Sequence, residues 1–578
     1  MLQVICSPEL SRGRGPMPQT TLSVVLEVAP ESARPLLKII EQVSGAEETW
    51  RPGDTELYSR LKWGVPSLHF MSMSVFHGAD YDPIFVIEAN FDGPPGPFWA
   101  QLEATLGPNL RLMLRCCKRP ADSSGPLYDA VTKTGTSYPV APYLERKTLT
   151  PSVFHHGNRG LERARILNDA DLFLATRTEL AQADPTIPNP YRGITAQAIH
   201  KKLRAALLSK FPWLDTPAPA RISPAERLVD LLKFSAYVFV ALFCLSIPGL
   251  ALAAIMTPWK FIILFGCAAL LVGAFLWRIK APRAGEGAPT RSGGLTVKSL
   301  SSENKLLSPA NPWGLVFWVA VFLVAYVAVA SAAIFVVSVP LSFAAALITG
   351  TVISDQLGSI ICSVVLGLSS LAFTIPALVL WLRVLERRDS SQDAPPVDLR
   401  ELRKMTHRED WIPQNHMGSV VLVKPGVLRM ALFRAGHRGL GLLLRVQATD
   451  GYLGSMRTIH FAHWAFVNNS SRLMFFSNFD NSWDSYLDDF IEKAHGGLTL
   501  AWGSGVGFPP TRFLVLDGAS HGRQFKAWAR HSMAVSRFWF SAYKDLTVNQ
   551  IERNARIADG LRKRTLTAKE ADAWARDL

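Results

Sequence analysis

Cysteine is scarce in this chain, with six among 578 residues. Cys6, Cys116, Cys117, Cys244, Cys267 and Cys362 form no C-x-x-C pair and no disulfide-like spacing, and the last three sit in apolar runs. A disulfide-stapled secreted scaffold is excluded, no metal centre is expected, and a reducing cytoplasmic setting suits the thiols. The opening segment MLQVICSPELSRGRGP lacks the apolar h-region of a cleavable signal, so targeting falls to the first apolar span. Charge is missing where it would matter most. Four long apolar stretches carry no mid-helix Asp, Glu, Lys or Arg, and all thirteen histidines lie outside them. Intramembrane haem ligation, proton relay and ion coordination therefore have no side chains to use.

What is abundant is apolar surface. Hydrophobic residues make up 48% of the chain, and mean hydropathy is +0.15, too high for an ordinary soluble protein of several domains. The apolar stretches run over 234–256, 261–277, 314–339 and 360–382, each near the roughly 20 residues that cross a bilayer. Thr257, Pro258, Trp259 and Lys260 alone join the first two, a tight hairpin. The loop after Trp277 carries Arg278, Lys280, Arg283, Arg291, Lys298 and Lys305, the fourth stretch exits into Arg383, Arg387 and Arg388, and Arg221, Arg227 and Lys233 precede the first. The positive-inside rule places these segments, and with them both termini, in the cytoplasm, as for a protein of the bacterial inner membrane. Trp259, Trp277, Trp313 and Trp381 mark the helix ends, and small residues such as Gly266, Gly273, Gly367 and Ser370 permit close packing. The run 341–353, which stops before Asp355, is expected as a re-entrant or interfacial piece. The same topology accounts for the formal charge of +14, so lipid is the expected partner and no nucleic acid is expected.

With the bundle set aside, residues 1–215 and 391–578 read alike. SVVL at Ser23–Leu26 and again at Ser419–Leu422 are matched first strands, ended by Pro30 and Pro425. Helical patterns follow over 31–43 and 427–446. LHF at Leu68–Phe70 and IHF at Ile459–Phe461 each open a hairpin that ends in NFD, at Asn90–Asp92 and Asn478–Asp480. Helices over 98–106 and 483–494 come next, a last strand is expected over 512–517, and the tails LERARILNDADL from Leu161 and IERNARIADGL from Ile551 carry matching charge. The expected fold is α+β: two ferredoxin-like (β-α-β-β-α-β) cytoplasmic units from an internal duplication, with a four-helix transmembrane bundle over 216–390 inserted between them. Two such units on one side of a membrane can pack sheet to sheet, which an even number of crossings allows.

This tandem resembles the dye-decolourising peroxidases and the wider dimeric α/β-barrel superfamily. NFDG at Asn90–Gly93 is similar to part of their distal G-x-x-D-G motif, although Glu88 and Ala89 supply no leading glycine and the second copy reads Asp480-Asn481. The resemblance implies haem as a possible cofactor, with Asp92 as the acid beside it. HFAHW, NFDNSW and YLDDF are also similar to a group of bacterial proteins, a likeness that implies a fold and no reaction.

Several residues stand out as candidates, each with a structural alternative. His69 near Asp92, and His460 opposite Phe479 beside Asp480, pair imidazole with carboxylate at a strand end, a constellation for proton transfer or ligand binding. The alternative is that each His closes the sheet end and each Asp caps the next helix. His155 and His156 in FHHG, with Trp464 and Trp483, are candidate ligand contacts. Adjacent histidines point apart, so one metal would hardly take both, and a helix-entry loop is the other reading. Gly518–Gly522 fits G-x-S-x-G, making Ser520 a hydrolase nucleophile, but too little chain follows to supply the acid and histidine of that fold. The G-x-G-x-G of Gly503, Gly505 and Gly507 lacks a Walker lysine. Helix 427–446, with Arg429, Arg434, Arg438 and Arg445, either lies on the inner leaflet or packs on its sheet. Together these lead to a membrane-held module whose cleft between the halves takes a small-molecule or lipid-like ligand, with a haem peroxidase and a serine hydrolase as alternatives.

Overall fold

QTTLSVVLE, rich in β-branched residues and flanked by Pro18 and Pro30, forms the first strand. A computed structural model describes residues 17–49, 61–78, 81–181, 189–279, 312–349, 356–389, 399–407, 409, 412–447, 457–513 and 515–578. The first half runs β1 (Gln19–Glu27), α1 (Ala33–Thr49), β2 (Leu68–Phe76), β3 (Ile84–Asp92), α2 (Pro95–Arg115), β4 (Thr148–Leu149), β5 (Val153–His156), α3 (Arg163–Ala181) and α4 (Ala196–Leu207). The apolar helices follow: α5 (Pro224–Ala253), α6 (Pro258–Arg278), α7 (Pro312–Thr349), α8 (Gln356–Ser369) and α9 (Leu371–Arg388). The second half runs β6 (Gln414–Leu422), α10 (Val427–Gln447), β7 (Ile459–Val467), β8 (Arg472–Asp480), α11 (Trp483–Trp502), β9 (Thr511–Arg512), β10 (Leu516–Asp517), α12 (Gly522–Ser532), β11 (Met533–Ala534), β12 (Phe538–Ser541), α13 (Val548–Arg562) and α14 (Ala568–Ala575).

Two five-stranded antiparallel sheets result, in the orders β12-β2-β3-β1-β4 and β11-β6-β8-β7-β5. The orders correspond strand for strand: β1 with β6, β2 with β7, β3 with β8, β4 with β11, and β5 with β12. In each, four strands from one half lie in the order 4-1-3-2, and the fifth place, beside β2 or β7, is filled by a strand from the other half. The halves are thus joined by reciprocal strand exchange as well as by facing sheets. Phe76, Ile84 and Val86 of the first sheet meet Val420, Val467, Met474 and Phe476 of the second in one apolar layer. The outer faces are covered by helices, with Phe98, Trp99 and Leu102 of α2 in one core and Tyr486, Leu487 and Trp502 of α11 in the other. Because β2, β3 and β8 are covered on both faces, all nine residues of each are buried. A further core gathers Leu172 and Leu203 with Ile557, Leu561 and Trp574, uniting helices from both ends of the chain.

Four helices are long and apolar enough to cross a membrane: Pro224–Ala253, Pro258–Arg278, Val316–Ser338 and Leu357–Arg388, the last broken at Ser370. Ser223 caps α5 by accepting from the Glu226 N–H, with Pro224 in the first turn. Close packing is realised at Gly249 and Gly367, where an added Cβ would lie 2.1 Å from Ser370 and 2.6 Å from Leu250, whereas Gly266 and Gly273 face open space.

Five expectations change. The segment 341–349 is not a separate piece but continues α7 to Thr349, with Pro340 carried inside the helix as apolar spans tolerate; residues 350–353 lie outside the described residues. The 98–106 and 483–494 helices run on to Arg115 and Trp502, the first through Pro108 and the second across a kink at Ala494. Residues 512–517 add no strand to either five-stranded sheet. Phe513 has φ +53°, and the run doubles back so that Thr511–Arg512 pairs with Leu516–Asp517, residue 514 lying outside the described residues. The two SVVL runs are one residue out of step. Gln19 faces Asp92 and Gln414 faces Asp480, so four residues on Ser23 corresponds to Gly418, and Ser419 to Val24. A one-residue shift turns every side chain to the opposite face, and sheet pairing overrides the letter match. The tails are also out of step: Arg163 and Val548 occupy equivalent helix starts, which aligns Leu161 with Leu546 rather than Ile551.

Candidate functional site

At the ends of β2 and β7 the register slips between Leu68 and Phe70 and between Ile459 and Phe461. His69 and His460 are the extra residues of these bulges, so His460 is not opposite Phe479, where Ile459 sits instead. A bulge re-aims its side chain, and each imidazole turns onto the carboxylate that ends the neighbouring strand. His69 Nε2 lies 2.9 Å from Asp92 Oδ1, and His460 Nε2 lies 2.8 Å from Asp480 Oδ1. The second oxygen of Asp92 accepts the Arg163 N–H at 2.7 Å, and that of Asp480 accepts the Val548 N–H at 2.8 Å. Each Asp therefore serves a helix start some seventy residues onward, not the next helix, where Ser482 caps α11 with its own side chain. His69 Nδ1 also shares a 2.7 Å hydrogen bond with Tyr543, while His460 Nδ1 has no partner among the described residues.

These pairs are buried and their carboxylate oxygens are committed, and neither Asp92 nor Asp480 lines the cleft between the halves. The arrangement latches strand ends to helix starts. It does not fit an acid held free beside a haem.

The other candidates stay apart. His155 and His156 lie on β5 against Ala462 and Phe461, each with a ring nitrogen unpartnered among the described residues. Burial pushes His155 down to about 4 and His156 well below the usual value, so both are neutral at pH 7. Trp464 packs 4.4 Å from Phe475 in the second core. Trp483 lies 3.7 Å beneath the Arg530 guanidinium, which pairs with Glu409 at 3.0 Å. Among the described residues no group of three or more His, Cys, Asp and Glu is arranged to hold a metal. Ser520 is buried in a short turn, Gly518–Ser520, preceded by a two-residue strand and by no parallel sheet, so the elbow is not built. Gly503 and Gly505 serve a turn, their carbonyl and amide environment closed by Lys424 and Val423.

A different cluster lies on the facing surfaces of the two sheets. Glu88, at the middle of β3, accepts from Ser72 at 3.0 Å, from Asn90, and from Asn478 of the other sheet at 3.4 Å. His416 Nε2 is 3.9 Å from Glu88 and makes no hydrogen bond among the described residues, while its Nδ1 meets Ser536 at 2.8 Å. Trp539 donates to the Asn478 side-chain oxygen at 2.8 Å, and His463 Nε2 meets Ser23 at 2.9 Å. Burial pushes the Glu88 carboxyl up to about 7 against those three donors. It pushes His416 and His463 down to about 3. The cluster lies behind the wall of a cleft: Glu88 and the His416 nitrogen that faces it are covered, while His416 itself forms part of the cleft wall. This cleft between the halves is lined by Glu41 and Ser44 from one side and by His416, Ser536, Arg537 and Trp539 from the other. Arg537 and Glu41 pair across its mouth at 3.0 Å. An acid that exchanges its proton near neutrality beside an unprotonated imidazole can hold, and pass a proton to, a small polar molecule. In the sequence Glu88 stands out only for taking the place of a glycine, because the residues that meet it from the other sheet, His416 and Asn478, lie over 300 residues away.

Compared with known protein families, with curated proteins and with solved structures, the chain matches none. Fold and site alone define its class: a mixed α+β protein with antiparallel sheets and four helices long and apolar enough to cross a membrane.

Proposed function

We propose that the chain is an integral membrane protein of the bacterial inner membrane, built from two ferredoxin-like units related by internal duplication. Both units lie on the cytoplasmic side and hold a small polar ligand in the cleft between them. The 4-1-3-2 strand order in both halves supports the ferredoxin-like reading, and the reciprocal exchange of β5 and β12 supports the duplication. Strand exchange requires the halves to share a compartment, which four crossings satisfy and three would not.

The observation that carries the binding function is the juxtaposition of buried Glu88 with a His416 nitrogen that has no partner among the described residues, His416 also lining the cleft between the halves. A buried unpaired polar group costs free energy that a ligand able to bond it recovers. The test is mass spectrometry of small molecules released from the purified full chain and from a His416→Ala variant. A compound retained by the wild type and lost from the variant is expected; identical extracts count against the reading. Insertion is checked separately, since a chain released from vesicles by alkaline carbonate would not be integral.

A further inference from the structure

Helix α10 carries Arg429, Arg434, Arg438 and Arg445 and no acidic residue over Val427–Gln447. One face is spent on the second sheet, where Phe433, His437, Leu442 and Val446 are buried. The other meets α5 of the apolar bundle. Tyr237, one turn into the apolar part of α5, donates to the Ala435 carbonyl at 2.6 Å, and an added Cβ at Gly439 would lie 2.8 Å from the same ring. Near its C-terminal end Arg445 lies 3.8 Å from Asp230 of α5. Near its start, Arg429 and Leu432 face Leu382 and Leu385 of α9 across a small cleft that also holds Glu386 and Asp389. The helix thus packs along α5 over the stretch where its apolar run begins, next to the surface that would meet lipid.

Its remaining edge is dressed for such a surface. Val427 is 91% exposed and Leu428 51% exposed. Arg434 and Arg438 line a second depression with Ser470. In the first cleft the other charges are already matched, Lys424 with Asp389 and Arg383 with Glu386. Arg429 and Arg438 have no acceptor among the described residues, so each adds an uncompensated positive charge. A headgroup with one uncompensated negative charge and apolar tails completes that arrangement; a zwitterionic one brings an ammonium for which no carboxylate is spare.

We infer that α10 rests along the cytoplasmic leaflet and that its arginine edge binds anionic phospholipid, one headgroup seating in the cleft beside Arg429. The inference rests on the membrane reading above but not on the ligand cleft, since His416 lies outside it. The test uses the full chain in detergent, with phosphatidylglycerol or phosphatidylcholine added in mixed micelles and lipid retention read by native mass spectrometry. Phosphatidylglycerol should bind in preference, and Arg429→Gln with Arg438→Gln should weaken it roughly 30-fold, while Lys at both positions keeps it. Equal binding of the two lipids by the wild type, or full phosphatidylglycerol binding by the Gln pair, overturns the inference. If the Gln pair does not fold, salt decides: wild-type phosphatidylglycerol binding that does not weaken with ionic strength overturns it as well. Lipid binding that survives His416→Ala keeps this result separate from the cleft.

Discussion

The two halves agree at their strand ends and differ where their sheets meet. His69 with Asp92, and His460 with Asp480, are set on the same bulge, at nearly the same distance, against the same kind of helix start. On the meeting face the corresponding positions diverge. Glu88 on β3 stands where β8 has Phe476, Ser72 where β7 has His463, and Ser23 where β6 has Gly418. A requirement of the fold should fall on both halves alike, because each must tie a strand to a helix. A requirement of chemistry can fall on one side only. The comparison therefore separates the latches, which hold the architecture, from the Glu88 cluster, which a merely structural role would have left apolar.

The comparison breaks most readily at the latches. Asp92→Ala and Asp480→Ala should each cost about 3–5 kcal/mol, since each strands a buried imidazole and an unpaired helix N–H. Thermal unfolding in detergent should show losses of similar size, and a large inequality would mean that the halves are not equivalent there. Glu88→Gln comes next. The folded carboxyl titrates at about 7, above its ordinary 4.5, so its contribution to stability is complete below pH 4.5 and is lost as pH rises through 7. The variant should gain about 3 kcal/mol over the wild type at pH 8 and nothing at pH 4. His416 and His463 titrate the opposite way, their neutral forms supporting the fold above about 6.5. The wild-type-minus-variant difference isolates Glu88, and a pH-independent difference would refute its assignment. Gly418→Ala should cost about 1–3 kcal/mol, because the new Cβ would lie 2.5 Å from the Phe476 ring; a neutral substitution would contradict the close packing of that face. Smallest is Tyr543→Phe. It removes one hydrogen bond from the first latch only, at about 1 kcal/mol, and should leave the His460 latch untouched as read by imidazole NMR shifts.

Much of the architecture was legible in the chain. The LHF and IHF starts, the two NFD ends and the three-residue difference in hairpin length all lie at equivalent places in the sheets. The His and Asp candidates do meet, although as latches. Legibility failed where letters were matched without pairing. The SVVL runs and the ERARI and ERNARI tails are alike in composition and one and five residues out of step in space, the strands because inter-strand hydrogen bonds and the buried face fix their register and the helices because Asp92 and Asp480 fix where they start. The 512–517 strand failed for a related reason, a reversal of the apolar run beside Phe513, which has positive φ.

What the sequence determined alone was what depends on neighbours along the chain: four apolar helices, their charged flanks, and the strands and bulged hairpins of each half, since hydropathy and alternation act over a few residues. Only the tertiary structure decided that β5 and β12 trade sheets, that α10 packs against α5, and that Glu88 meets His416 and Asn478. Those outcomes depend on which faces find cover once the chain has closed on itself, and no local pattern encodes a partner more than 300 residues away.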